Sequence, residues 1–180
     1  MQIEKIDFEG VFIVKPRVFN DSRGFFMETY NAQKYAFLGV DFVQDNLSKS
    51  KKKVLRGLHF QKPPYAQDKL VWVTKGAVLD IIVDLRKNQP TFGKYFAIKL
   101  SAKNKKQLFI PKGFAHGFVS LKKGTIFTYK CSNYYQADSE VTINPLDKDL
   151  NIDWKITKNL IISDKDKIGI DFGTFESPFD

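Results

Sequence analysis

Short apolar segments recur along the chain, and groups of turn-forming residues separate them. The predicted strands are 11–14, 24–30, 41–46, 53–59, 69–74, 77–84, 95–100, 107–110, 115–121 and 125–131. One short helix is predicted over 31–38, because Asn31 is a favourable N-cap and Gly39 suits a left-handed helix end. Strands at this spacing, with no crossover helices between them, are typical of an antiparallel sandwich or barrel. We therefore expect an all-β fold in a single domain that spans residues 1–180.

The chain after the last predicted strand has a weaker pattern. Residues 160–162 are apolar and predict a strand or an extended segment, and the polar stretch 163–166 predicts a turn. The sequence contains no repeat and no low-complexity tract that would divide it into further domains.

Composition and charge narrow the class of protein. Hydrophobic residues make up 43% of the chain and include 17 phenylalanines, which is enough for one sizeable core. The net charge is +9, but only four of the 29 basic residues are arginines, and the lysine clusters are scattered between hydrophobic segments. Nucleic-acid binding favours arginine and aromatic residues along one face, so we expect a solvated lysine surface and no nucleic-acid partner. An excess of basic over acidic residues also suits an anionic substrate that carries phosphate.

The sequence also indicates the cellular compartment in which the protein is expected. No apolar run approaches the ~20 residues that span a bilayer, so no membrane partner is expected. Residues 1–10 include three acidic side chains and no apolar stretch, unlike a signal peptide. Cys131 is the only cysteine, which allows no intrachain disulfide. These features predict a cytoplasmic enzyme.

The chain has only two histidines, and both lie among glycines. In a regular strand, Gly57, His59 and Gln61 share one face, and Arg56 points to the other. Polar groups on the inner face of a sheet usually line a cavity, because burial without hydrogen-bond partners is costly. We therefore expect His59 and His116 to mark a pocket.

The segment around His116 is typical of the second half of the cupin signature, Pro-x-Gly-x-x-His, at 111–116. Metal-binding cupins supply a His-x-His pair and a later glutamate in the first half. Here His59 is followed two residues later by Gln61. Two histidines without that pair make a poor site for a divalent transition metal, so no metal is expected. A metal site completed by carboxylates is the less favoured alternative.

Several motifs follow one another over roughly residues 10–170. They are DSRGFF (21–26) with Glu28, FVQDN (42–46), LRGLHFQ (55–61), QDKLV (67–71), VDLR (83–86), PTFG (90–93), IPKGFAHGF (110–118), YKC (129–131), IDW (152–154) and SDKD (163–166). With these motifs in this order, the chain resembles the dTDP-4-dehydrorhamnose 3,5-epimerases. The resemblance implies a cupin-type antiparallel jelly roll or β-barrel with a few short helices.

The resemblance also implies an activity that needs no cofactor. Members of this family convert dTDP-4-keto-6-deoxy-D-glucose to dTDP-4-keto-L-rhamnose. The reaction removes a proton beside the C4 ketone from one face and returns a proton to the other face, at both C3 and C5. Such chemistry needs a base, an acid across the ring, and a donor or cation at the enolate oxygen.

Four residues match the family's catalytic positions. His59 corresponds to the general base, and imidazole suits this task because its ordinary pKa of ~6.5 is near the working pH. Asp166 matches the carboxylate that partners this histidine. Lys69 matches the lysine beside the keto oxygen, and Tyr129 matches the proton donor on the opposite face. Without the resemblance, Asp166 would be interpreted as an exposed turn residue, Lys69 as a surface lysine and Tyr129 as a core aromatic residue.

The resemblance implies that nine further residues bind substrate or nucleotide. They are Arg23, Glu28, Gln44, Asn46, Arg56, Gln61, His116, Glu140 and Lys165. In this family the first strands of one subunit reach over the partner's pocket, so Arg23 and Glu28 are expected to act on the neighbouring site of a homodimer. A C-terminal segment is expected to pack near the active site. One departure is the absence of the tryptophan that family members usually carry soon after the position of Glu140.

The sequence alone leaves alternative functions open. The same catalytic residues would serve an epimerase that acts on another nucleotide-linked 4-keto-6-deoxy sugar, such as a GDP-linked one, or at C3 or C5 alone. Two different classes are a metal-dependent cupin oxygenase or isomerase and a non-catalytic sugar-binding cupin. The missing His-x-His pair disfavours the former. A pure binding protein has no need of both an acid and a base, which disfavours the latter.

Overall fold

Antiparallel strands make up nearly all of the regular structure. The computed structural model describes residues 1–156 and 158–180. Its strands are β1 (Gln2–Lys5), β2 (Phe12–Lys15), β3 (Val18–Asp21), β4 (Gly24–Met27), β5 (Gln44–Ser50), β6 (Leu55–Gln61), β7 (Lys69–Lys75), β8 (Ala77–Asp84), β9 (Tyr95–Ser101), β10 (Gln107–Ile110), β11 (Phe114–Ser120), β12 (Thr125–Cys131) and β13 (Glu140–Thr142). The helical pieces are α1 (Asp164–Lys167) and single 3₁₀ turns at Ala36–Leu38, Ala137–Ser139 and Phe172–Thr174. The predicted all-β fold with a few short helices is confirmed.

The strands form two sheets and one separate hairpin. The six-stranded sheet has the order β1-β2-β10-β7-β12-β5, and the five-stranded sheet has the order β13-β6-β11-β8-β9. Among residues 1–156 and 158–180, strands β3 and β4 pair with each other and with no other strand. An inner core joins the two sheets, with Val73 and Phe127 from the first sheet and Ile82 and Phe118 from the second. This arrangement is the cupin-like double sheet that the sequence predicted.

Each sheet is also covered on its outer face. Tyr35, from the segment between β4 and β5, packs against Trp72 and the rest of an apolar cluster on the six-stranded sheet. Trp154 and Phe179, from the chain that follows β13, belong to a larger cluster on the five-stranded sheet. Burying one such side chain contributes roughly 1.5–3 kcal/mol, so the C-terminal segment is held firmly against the barrel. None of the helices in the described residues is long and apolar enough to cross a membrane.

The strand predictions succeed where apolar residues face the inner core. All ten predicted segments overlap an observed strand, but β5 begins at Gln44 and continues to Ser50 instead of covering 41–46. Alternate residues of β5 are exposed, and its inner positions are polar, so the apolar pattern did not reveal its extent. The short strands β1, β3 and β13 were missed. Every residue of β1 is exposed, which leaves no alternation to detect.

The helix prediction over 31–38 is wrong, because this segment forms a turn and the 3₁₀ piece Ala36–Leu38. Its ends are nevertheless as expected. The Asn31 side chain accepts a hydrogen bond from the backbone N–H of Lys34 at 3.2 Å, and Gly39 has φ 67°. The turn predicted over 163–166 is instead the start of helix α1, which Ser163 caps.

Candidate active site

A bulge in β6 decides which residues face the interior. His59 lies opposite His116 on β11, but Arg56 lies opposite Phe118, so three steps along β6 match two along β11. The extra residue brings Arg56 and His59 to the same cavity, and the prediction that they point to opposite faces is therefore wrong. Gly57 has φ +118°, and a Cβ there would lie 2.5 Å from the Gly117 Cα. Glycine is required at this close approach.

The cavity opens between the two sheets, on the side where β5 and β6 lie. It consists of two adjacent parts of about 230 Å³ and about 130 Å³, and both are lined by His59, Lys69 and Tyr129. His59 belongs to the five-stranded sheet, whereas Lys69 and Tyr129 belong to the six-stranded sheet. A molecule that occupies the cavity therefore has the imidazole on one side and the amine and phenol on the other.

His59 is paired with a carboxylate from helix α1. Its Nε2 lies 2.7 Å from Asp166 Oδ1, and Asp166 Oδ2 accepts a 3.3 Å hydrogen bond from the backbone N–H of Gly57. Burial acts to raise the pKa of Asp166, but the hydrogen bond and charge of His59, together with the Gly57 N–H, outweigh it and lower that pKa. Asp166 is thus an anion that holds Nε2. The ring nitrogen left to take a proton from a molecule in the cavity is Nδ1.

A second imidazole–carboxylate pair lies deeper in the barrel. His116 Nε2 is 3.0 and 3.2 Å from the two carboxylate oxygens of Asp80, which is 0% exposed. Burial raises the pKa of Asp80, although His116 opposes the shift. Asp80 was not among the site residues predicted from the sequence. An acidic residue within the otherwise apolar core of β8 was the signal that could have identified it.

Lys69 and Tyr129 lie side by side on the inner face of the six-stranded sheet. Tyr129 pairs with Val71 and Cys131 pairs with Lys69 across β12 and β7. Burial lowers the pKa of Lys69, and nearby Cys131 and Glu140 oppose that effect. Burial raises the pKa of Tyr129, which keeps the phenol protonated. The pair can therefore offer a proton from Tyr129 and a hydrogen-bond donor from the amine of Lys69.

Most of the predicted binding residues lie around this cavity. Those that line it are Gln44, Asn46, Arg56, Gln61, His116 and Glu140. Lys165 belongs to helix α1 and forms an ion pair with Glu140. Tyr135, which the sequence analysis did not single out, donates a 3.0 Å hydrogen bond to the same carboxylate of Glu140. Arg56 donates to the Ser50 hydroxyl at 3.2 Å.

Two predicted binding residues lie elsewhere in the chain. Arg23 is in the turn between β3 and β4, its side chain is 88% exposed, and it pairs with Asp21 at 2.7 Å. Glu28 pairs with Lys34 and lines a separate cavity of about 240 Å³ beside Tyr35. Neither residue lines the cavity that contains His59 in the same chain.

The grouping of the side chains shows whether they could hold a metal ion. Within residues 1–156 and 158–180, no three His, Cys, Asp or Glu side chains are grouped so that they could hold a metal ion. Both histidines instead bond to aspartates through Nε2. The described groups are therefore arranged for hydrogen bonding and proton transfer.

Fold and site together define a cupin-like barrel protein with an acid–base pocket between its sheets. A family model described as dTDP-4-dehydrorhamnose 3,5-epimerase matches residues 5–173. The chain belongs to this family of epimerases, which confirms the family and the isomerase class predicted from the sequence.

Individual relatives match over almost their whole length. The chain is 52% identical to the dTDP-4-dehydrorhamnose 3,5-epimerase of Escherichia coli K12 over 170 residues, which cover 93% of this chain and 92% of that protein. It is similar to the crystal structure of the dTDP-4-dehydrorhamnose 3,5-epimerase from Elizabethkingia anophelis, with 47% identity, a TM-score of 0.91, and coverage of 96% and 97% of the two chains. It is also similar to the dTDP-6-deoxy-D-glucose-3,5-epimerase from Legionella pneumophila in complex with dTDP-4-keto-L-rhamnose. That match has 43% identity, a TM-score of 0.93, and coverage of 97% and 94%.

Proposed function

We propose that the protein converts dTDP-4-keto-6-deoxy-D-glucose to dTDP-4-keto-L-rhamnose by epimerisation at C3 and C5. The observation that carries the proposal is the placement of the His59–Asp166 pair on one sheet, opposite Lys69 and Tyr129 on the other. Family membership and the Legionella complex support the choice of substrate. The product is a precursor for L-rhamnose incorporation into a glycan.

The residues account for each proton that moves. His59 Nδ1 takes the proton from the carbon beside the ketone, and the electrons of the C–H bond move to the C4 oxygen to form an enolate. Asp166 stabilises the resulting imidazolium. Lys69 donates a hydrogen bond from its amine to the enolate oxygen. Tyr129 returns a proton to the opposite face of the carbon, which inverts it. Water then takes the proton from His59 and reprotonates Tyr129 before the second carbon reacts.

The anionic part of the substrate matches the cations around the pocket. Arg56 lines the larger part of the cavity, Lys165 pairs with Glu140 of the smaller part, and cations of this kind suit a diphosphate. Gln44, Asn46 and Glu140 line the smaller part of the cavity and serve as polar contacts to sugar or nucleotide. His116 serves as a binding and positioning residue in the larger part.

Solvent deuterium exchange tests the proposal directly. The protein is incubated in D₂O with dTDP-4-keto-6-deoxyglucose, and NMR follows the signals of C3 and C5. We expect deuterium at both carbons, and near-total loss of exchange in His59→Ala. Deuterium at only one carbon would identify a 3- or 5-monoepimerase. Exchange with a GDP-linked analogue but not with the dTDP sugar would preserve the chemistry and overturn the choice of nucleotide.

Tyr129→Phe separates the two faces of the reaction. This variant retains His59 and Lys69, so proton removal and return on the His59 face continue, and some exchange is expected. Epimerised product is not expected, because the donor on the opposite face is missing. Formation of product at the normal rate would show that another group protonates that face.

The proposal includes a homodimer in which Arg23 and Glu28 act on the partner's site. The β3–β4 hairpin exposes Phe19, Phe25 and Phe26, a combination suited to an interface. Mixing inactive His59→Ala and Arg23→Ala proteins tests the exchange, because a mixed dimer would contain one site free of both substitutions. Activity should appear after subunits exchange. Its failure to appear while mass spectrometry detects mixed dimers would place Arg23 in its own subunit's site.

The cytoplasm is the proposed location, because nucleotide-activated sugars are made and consumed there. Cell fractionation with an antibody against the protein would test this assignment, and recovery in the periplasmic or membrane fraction would contradict it.

A further inference from the structure

The segment Ser132–Gln136 links β12 to β13 and lies at the rim of the smaller cavity. Neighbouring side chains hold it at successive positions. The Ser132 hydroxyl donates to Asp68 Oδ2 at 2.8 Å, Gln67 Nε2 donates to the Asn133 carbonyl at 2.8 Å, and Gln44 Oε1 accepts from the Tyr135 N–H at 2.9 Å. A loop fixed in this way presents its side chains in one arrangement.

Gln61 makes the most extensive of these attachments. Its Nε2 donates to the carbonyls of Tyr65 at 2.7 Å and Tyr134 at 3.1 Å, and its Oε1 accepts from the Gln136 N–H at 2.8 Å. Both donors and the acceptor of the amide are therefore bonded to backbone groups. The side chain is only 4% exposed, although it forms part of the cavity wall. Its polar atoms are thus bonded to backbone groups of the loop and of Tyr65.

The loop carries groups that reach the catalytic residues. Tyr135 donates to Glu140, and Glu140 also pairs with Lys165. Lys165 is next to Asp166 in helix α1, and Asp166 holds His59. A displacement of the loop would thus remove one of the contacts that fix Glu140 at the cavity.

We propose that Gln61 is a positioning residue that holds the Ser132–Gln136 loop, and with it Tyr135 and Glu140, in the arrangement that binds the nucleotide sugar. The kinetic part of this inference rests on the proposed function. Because Gln61 does not touch the reacting carbons, its loss should weaken substrate binding much more than it slows proton transfer.

Gln61→Met and Gln61→Glu test the inference. Methionine fills a similar volume without hydrogen bonds, whereas glutamate keeps the acceptor but cannot donate to the two carbonyls. With dTDP-4-keto-6-deoxyglucose, we expect both variants to raise KM about tenfold and to change kcat less than about threefold. Amide hydrogen exchange of the substrate-free protein should accelerate in the peptide that contains residues 132–139, while exchange in the barrel strands stays unchanged.

Gln107→Met is the matched control. Gln107 is an equally buried amide that bonds to the Tyr35 hydroxyl and the Thr29 carbonyl, on the outer side of the other sheet. It should lower thermal stability to a similar extent while leaving the exchange of the Ser132–Gln136 loop unchanged. Unchanged loop exchange in both Gln61 variants would overturn the inference even if the enzyme turns over. A hundredfold loss of kcat at constant KM would also overturn it, since Gln61 would then act on the reacting atoms. If the dTDP sugar is not a substrate, the exchange measurement still decides whether Gln61 holds the loop.

Discussion

The two imidazole–carboxylate pairs are built from different parts of the chain and differ in exposure. The His116–Asp80 pair joins neighbouring strands of one sheet, and its carboxylate is fully buried. The His59–Asp166 pair joins β6 to helix α1 in the C-terminal segment, and the His59 side chain is 29% exposed at the cavity. Burial raises the pKa of Asp80, whereas the contacts of Asp166 lower its pKa.

The difference shows what a proton-accepting histidine requires. Its carboxylate must remain ionised so that the imidazolium is stabilised, and its second nitrogen must face the substrate. The His59 pair meets both conditions. The His116 pair is fixed within a sheet, which suits a binding surface of constant shape.

Replacing His59 should have the largest effect. His59→Gln keeps a polar side chain but cannot accept a proton near neutral pH, so the rate of solvent exchange at C3 and C5 should fall about 10³- to 10⁴-fold. His116→Gln, the same change in the other pair, serves as the control. Equal losses in the two variants would abolish the distinction between the pairs.

Asp166→Asn should have the next largest effect. The amide retains the shape of the side chain but cannot stabilise an imidazolium, and we expect kcat to fall about 10²-fold. The measurement is kcat as a function of pH, with circular dichroism to check that the fold is kept. A normal kcat in Asp166→Asn would remove the carboxylate from the proton-transfer step.

His116→Gln should weaken binding more than catalysis. His116 lines the larger part of the cavity beside Arg56, so it contributes to the ground state and the transition state alike. KM should rise about tenfold while kcat changes little. Steady-state kinetics decide, and a large loss of kcat at constant KM would place His116 among the catalytic residues.

The smallest effect concerns stability at different pH values. The folded-state pKa of Asp166 lies below its usual value of 3.8, so its contribution is present above that value and is lost as pH falls through the folded-state pKa. The folded-state pKa of Asp80 lies above 3.8, so stability is lost as pH rises from that value towards the folded-state pKa. Asp166→Asn should therefore lose less stability on acidification than the parent protein. Asp80→Asn should lose less as the pH rises above about 4.

Thermal unfolding between pH 3 and pH 7 measures these trends. A change of 1 kcal/mol corresponds to about 2–4 °C in a chain of this size, which calorimetry resolves. The parent protein and both variants are compared at each pH. Two variants with the same pH dependence would show that the carboxylates do not differ as described.

Strands could be predicted from the sequence where the pattern of apolar and polar residues matches the burial of their side chains. β8 and β11 face the inner core, and both were predicted within one residue of their observed starts. The polar inner face of β5 and the exposed β1 have no apolar alternation, and their extents were not predicted. A single strand segment also cannot reveal a bulge, because the extra residue is defined only by pairing with β11.

The site was predictable only in part for the same reason. His59 stands out as a polar residue on a sheet, but the partnership with Asp166 spans 107 residues and came only from the family resemblance. Asp80 was not predicted, since its partner His116 is 36 residues away in the sequence. The positions of Arg23 and Glu28 relative to a second subunit stay a prediction.

Helix α1 follows every strand of both sheets in the chain. During synthesis, the ribosome can release all the strands of the barrel before Asp166 has emerged. Until α1 docks, His59 lacks its carboxylate partner. A newly made chain can therefore use the His59–Asp166 pair for proton transfer only after α1 has docked beside β6.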